Sequence, residues 1–151
     1  MELPQSTPAL LAVQLNQRAT VIAGLTEKWS ASQAMIELHE GGPSGHSTLL
    51  HLVNVTRTTQ AALDLPPPFS DKLDTWDQVR FSFRSLAKGL SEQISGITLE
   101  SLEAPPAIEI VDDFKNSLTT RHAFLLGHVF HLAYHAGQLG SLATLINSKE
   151  K

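Results

Sequence analysis

"HVFHLAYHAGQ", residues 128–138, holds three histidines in eleven residues. The rest of the stretch reads as the apolar face of a helix, and from Ala123 to Ile146 there is no Asp, Glu, Lys or Arg. Successive residues of an α-helix turn by about 100°, so His131 and His135 share one face, one turn apart. His128 falls near that face, and Phe124, Gln138 and Leu142 extend the stripe. A charge-free helix of this length is either a membrane span or the buried member of a bundle. Hydrocarbon penalises histidine and glutamine. The stretch therefore predicts a buried helix in a soluble all-α protein.

Outward from it, three more helical stretches follow the same periodicity. The first covers about Thr7 to Thr26, with Leu10, Leu11, Val13, Leu15, Val21, Ile22 and Leu25. A shorter helical piece follows in "KWSASQAMIEL", and "HEGGPSG" breaks it. The second helix starts near Ser44 or Ser47, either of which fits a cap, and ends at the prolines 66–68. The third runs from about Asp74 to Ser95, with Trp76, Val79, Phe83, Leu86, Leu90 and Ile94 at helical spacing. In "GITLESLEAPPAIEIVDD" the Pro pair and alternating Ile108 and Ile110 then read as extended, a short hairpin or arm, before the fourth helix from about Thr119 to Ile146. The prediction is a single domain over residues 1–151, a four-helix bundle with a long crossover between helices 3 and 4. With 151 residues, 42% of them hydrophobic, the chain buries enough surface to fold without a staple.

Composition removes several functions. The chain has no cysteine, which excludes disulfide scaffolds, thiolate zinc sites and cysteine nucleophiles. Any metal site must use histidine and oxygen ligands. The net charge is −4, with 11 Lys plus Arg and no basic run, so no nucleic-acid partner is expected. "MELPQSTPALLAV" lacks the basic and long apolar parts of a signal peptide. No membrane partner and a cytoplasmic location are expected.

The histidines remain to be accounted for. A buried ring nitrogen without a partner costs about 1–3 kcal/mol, against a typical stability of about 5–15 kcal/mol. One core histidine is readily satisfied by one hydrogen bond. Several on one face call for a common partner, and neutral imidazole is the commonest protein metal ligand. His131 and His135 form H-x-x-x-H, but Leu132 and Ala133 stand where a metalloprotease helix carries its glutamate, so the protease reading fails. A third ligand must come from another helix. His51, in "LLHLVNVT" of the second helix, is also an apolar-face histidine. His39 and His46 lie in or near the glycine-rich turn and read as solvated; His122 reads as surface.

These motifs resemble the DinB-like (DinB/YfiT-like metalloenzyme) superfamily. The resemblance rests on "HLAYHAGQ", His131 to Gln138, on His51 with Leu52, and on the turn "GGPSGHSTLLHL". It covers nearly the whole chain in helix order and length. It implies a four-helix bundle of up-down-down-up type. It implies a three-histidine site, His51, His131 and His135, for zinc, nickel or a similar divalent metal. It also implies a thiol-dependent S-transferase or isomerase acting on a small molecule with a low-molecular-weight thiol as cofactor. A homodimer is expected from the family and from the apolar "PPAIEI" arm. Two departures bear on substrate. Ala136 stands where many relatives carry a basic residue, and His128 is extra. His128 admits three roles: a fourth ligand, a group beside the ligands or substrate, or a core histidine. Gln138 reads first as a structural hydrogen-bonder and Gly137 as a site of close helix approach. Asn54 and Thr58 are candidates to line the same cavity. Arg80 and Arg84 read as a solvated face before a carboxylate site, and Trp29 and Trp76 as packing residues.

Two other functions compete. A bundle that binds metal or a small ligand without catalysis has the same sequence signature. A histidine phosphotransfer module is also a four-helix bundle, but "RHAFLLG" around His122 has no lysine beside a glycine at the required spacing.

Overall fold

The computed structural model describes residues 6–66, 72–111 and 115–149. These are all-helical: α1 (Thr7–Thr26), α2 (Ala31–Ala34), α3 (Gly45–Ala62), α4 (Trp76–Ser95), α5 (Leu99–Glu103) and α6 (Arg121–Lys149). One isolated antiparallel bridge joins Glu37 to Ser44. Among the described residues no helix is long and apolar enough to cross a membrane.

Local chemistry places the helix starts. The Ser6 hydroxyl accepts from the Ala9 amide and Pro8 sits in the first turn of α1, where its missing N–H costs nothing. Ser44 caps α3 and Ser47 completes a reciprocal capping box, so the two serines are partners rather than alternatives. Thr75 and Gln78 do the same for α4, which therefore starts at Trp76 rather than Asp74. α3 stops at Ala62, before the prolines. Asp64 takes a left-handed φ of 57°, the turn that ends many helices. Residues 67 and 68 lie outside the described residues.

The hairpin considered at Pro105, Pro106, Ile108 and Ile110 does not form, and the stretch before it is helical. Thr98 caps a short helix, α5, by accepting from the Ser101 amide. Leu102 is fully buried and anchors α5 on α6. Leucine and glutamate favour helix here, and Pro105 and Pro106 end it. From Ala104 to Val111 the chain is irregular, and no strand forms among the described residues. Asp112 and Asp113 lie outside them.

The long helices pair as α1 with α4 and α6, and α3 with α4 and α6. Trp29, just beyond α1, stacks on Trp76 at the start of α4, with ring centroids 6.4 Å apart. The Trp76 indole N–H donates to the Trp29 carbonyl at 2.9 Å. A Cβ on Gly45, at the start of α3, would lie 2.5 Å from the Trp29 ring. The close approach expected at Gly137 is thus found at Gly45. Gly137 is exposed, and a Cβ there would meet nothing within 4 Å. At the other end Arg121, opening α6, lies 3.8 Å from Asp64 beyond α3. α3 and α6 therefore run antiparallel. Their shared seam positions the site.

Candidate metal centre

The buried stripe of α6 runs through Leu125, His128, Val129, Leu132, His135, Leu139, Leu142 and Ile146. His135 belongs to it, whereas His131 is half-buried at its edge and His51 on α3 is exposed. The expectation that these rings point into the core is corrected. Leu49, Leu52 and Val53 take the core face of α3. His51 is left at the outer margin, facing α6. The three histidines sit at the rim of the core and open to solvent on the His51 side.

There the rings converge through their edges. His51 Nε2 is 3.2 Å from His131 Nε2, which is 2.8 Å from His135 Nε2. One ligand atom from each lies within 4.8 Å of the other two. Ring planes are inclined by 76°, 68° and 57°, so nitrogens meet rather than ring faces. One ring N–H can donate to one neighbouring ring nitrogen at this spacing, but three inward lone pairs at once are balanced only by a cation. In a tetrahedral zinc site with Zn–N of about 2.0–2.1 Å, the nitrogens lie about 3.3 Å apart. Small side-chain adjustments separate this cluster from that geometry, so the residues present fit a metal ion.

His135 is fixed in one tautomer. Its Nδ1–H donates to Gln138 Oε1 at 2.7 Å, and an amide oxygen can only accept. Nε2 therefore carries the lone pair and faces the cluster. This is the arrangement by which an outer partner orients a metal-binding imidazole. Gln138 Nε2 donates in turn to the Tyr134 hydroxyl at 2.8 Å. Desolvation, then the neighbouring His135 and His51 rings, push the His131 pKa down to about 4. Desolvation also lowers His135, against the Gln138 hydrogen bond. Both rings are neutral at pH 7, the form that binds metal.

His128 is separate from this cluster. It is 3% exposed. The Thr56 hydroxyl donates to the Leu52 carbonyl at 2.8 Å, so its oxygen accepts from His128 Nε2 at 3.3 Å. His128 Nδ1 is buried without a hydrogen-bond partner among the described residues. Desolvation, then His131, push its pKa down to about 3. Of its three admitted roles, this geometry is that of the core histidine.

Other candidates fall elsewhere. Asn54 is exposed, and its side chain makes no hydrogen bond to the cluster among the described residues. Thr58 turns back to donate to the Asn54 carbonyl. Arg80 and Arg84 line a groove of about 730 Å³ between α1 and α4, not the α3–α6 seam. Arg80 lies over the Trp76 ring and 3.5 Å from Asp77. His39 is exposed as expected. His46 is not: it is half-buried, with its ring 6.1 Å from Trp76. His122 is half-buried, 3.9 Å from Glu103. Two residues went unread in the sequence, Tyr134 and Thr56. Tyr134 carries a signal, since it stands one helical turn before Gln138. Thr56 carries none, because its contact crosses between helices. Comparison with protein-family models finds no match for the chain, and comparison with curated proteins finds none either.

Proposed function

We propose that His51, His131 and His135 hold a divalent first-row metal ion, and that the protein is a metal-dependent enzyme acting on a small molecule, a thiol-dependent S-transferase or isomerase. The fold is read as the up-down-down-up four-helix bundle of the DinB-like superfamily. The antiparallel α3–α6 seam and the α3 and α4 starts beside Trp29 support that topology. One observation carries the functional reading. Ring nitrogens 80 residues apart in sequence meet at 3.2 Å, while Gln138 holds the third ring with its lone pair inward.

Three histidine ligands leave positions open to ligand, the pattern of catalytic rather than structural sites. When bound, the metal lowers the pKa of a coordinated thiol and so generates a nucleophile. The protein's part is positional. His131 and His135 are set one turn apart by helix geometry, Gln138 orients His135, and exposed His51 leaves the approach open. The hydrophobic seam below, Leu52 and Leu132, keeps water from the rear of the rings.

The test is metal content by plasma mass spectrometry on untagged protein purified without a metal column. Native protein should carry about one divalent ion per chain, and His51→Ala and His131→Ala should carry none. No metal after dialysis against zinc, nickel and manganese would sink the reading. Stoichiometric metal without turnover of thiols and electrophiles would leave a metal-binding bundle and no enzyme.

A further inference from the structure

The hydrogen bonds behind His135 continue past Gln138 to the surface. For His135 to offer its Nε2 lone pair, Nδ1 must carry the proton and Gln138 Oε1 must accept it. That orientation turns the amide nitrogen to Tyr134, whose hydroxyl oxygen accepts at 2.8 Å. The Tyr134 hydroxyl keeps its own proton, and no acceptor for it stands among the described residues. With the amide reversed, Tyr134 would donate inward to Oε1 and His135 would lose its inward lone pair. The orientation that makes His135 a ligand is therefore the one that frees the phenol as a donor.

The placement of Tyr134 gives that donor a use. Its ring stands edge-on to His135 with centroids 5.1 Å apart, and it is 62% exposed. Phe130, one turn earlier, is 67% exposed. Phe130 and Tyr134 stand four residues apart on α6, so their exposed rings share one face of the helix. We propose that Tyr134 is a binding residue, its hydroxyl donating to an acceptor atom of the ligand held at the histidine cluster, with Gln138 as its positioning residue. The fitting ligand is a small thiol with a carboxylate or carbonyl a few bonds from sulfur and an apolar stem against Phe130. This rests on the metal-site reading above.

The test uses cobalt-loaded protein and its sulfur-to-cobalt absorption band. The chain has no cysteine, so the band reports added thiol alone. Native protein and Tyr134→Phe are each titrated with cobalt, then with 3-mercaptopropionate and with 1-propanethiol. Equal cobalt uptake by both proteins is expected. Tyr134→Phe should bind 3-mercaptopropionate about tenfold more weakly, the effect of one hydrogen bond to a charged group, with propanethiol unchanged. Equal losses for both thiols, or none for either, would overturn the role of Tyr134 while leaving the metal site standing. A native protein that takes up no cobalt would remove the metal reading and this proposal together; cobalt uptake without a thiol band would remove this proposal and the thiol chemistry while leaving the metal site standing.

Discussion

His128 and His135 are both buried on α6, and one partner each gives them opposite tasks. Gln138 takes the Nδ1 proton of His135 and turns its Nε2 lone pair toward the histidine cluster. Thr56 takes the Nε2 proton of His128 and leaves a lone pair in the core. The spacing of three and four residues made His128, His131 and His135 legible as one stripe. It did not separate His128 from the cluster of His131 and His135, because that depends on Thr56 across the helix interface. Burial predicts how His128 acts on stability. Its ring titrates near 6.5 when unfolded and is pushed down to about 3 when folded. Between those values the unfolded chain holds a proton that the folded chain does not. Stability is therefore full above about pH 6.5 and falls toward pH 3, by up to about 1.4 kcal/mol per pH unit. His131 and His135 act in the same direction, more weakly for half-exposed His131. Urea unfolding with chelator present, at pH 7 and pH 4.5, should show a larger loss in native protein than in His128→Gln. Glutamine keeps a donor for Thr56 and cannot titrate. Equal losses would mean that His128 is already satisfied by another group.

At the scale of elements, periodicity found the four long helices to within a few residues, since each buries one face. α1 matched at both ends, and α6 starts two residues after the expected Thr119. The short elements were less legible. α5 has only five residues and is held by Leu102 on α6, a contact that local pattern does not encode. The geometry at the start of α3 is likewise tertiary. Gly45 lies against Trp29, and a Cβ there would meet the ring at 2.5 Å. Gly89, inside α4, has nothing within 4 Å of that position. The same substitution should thus change sign. Gly89→Ala should stabilise by about 0.5–1 kcal/mol through helix propensity. Gly45→Ala should destabilise by about 1–3 kcal/mol through overpacking. Denaturant midpoints for the two variants decide it, and a Gly45→Ala midpoint at or above the native one would contradict the packing of Trp29.

Among the described residues one hydrophobic core is fed by all four long helices, with the histidine cluster at its rim. On the proposed metal site, that position would make the metal an addition to stability rather than a condition of folding. A metal held by His51 on α3 and by His131 and His135 on α6, as proposed, would tie helices far apart in sequence and would bind only the folded chain. Free metal at one hundred times its dissociation constant then adds about 2.7 kcal/mol. For a chain of 151 residues this corresponds to a rise in Tm of roughly 5–10 °C. His51 is exposed, and replacing an exposed side chain usually changes stability by less than about 0.5 kcal/mol. Metal-free His51→Ala should therefore melt close to metal-free native protein. Added zinc should raise Tm in the native protein and leave His51→Ala nearly unmoved. A variant that still gains the full rise would place the metal on α6 alone. A native protein that gains nothing would return the three histidines to the rim of an ordinary core.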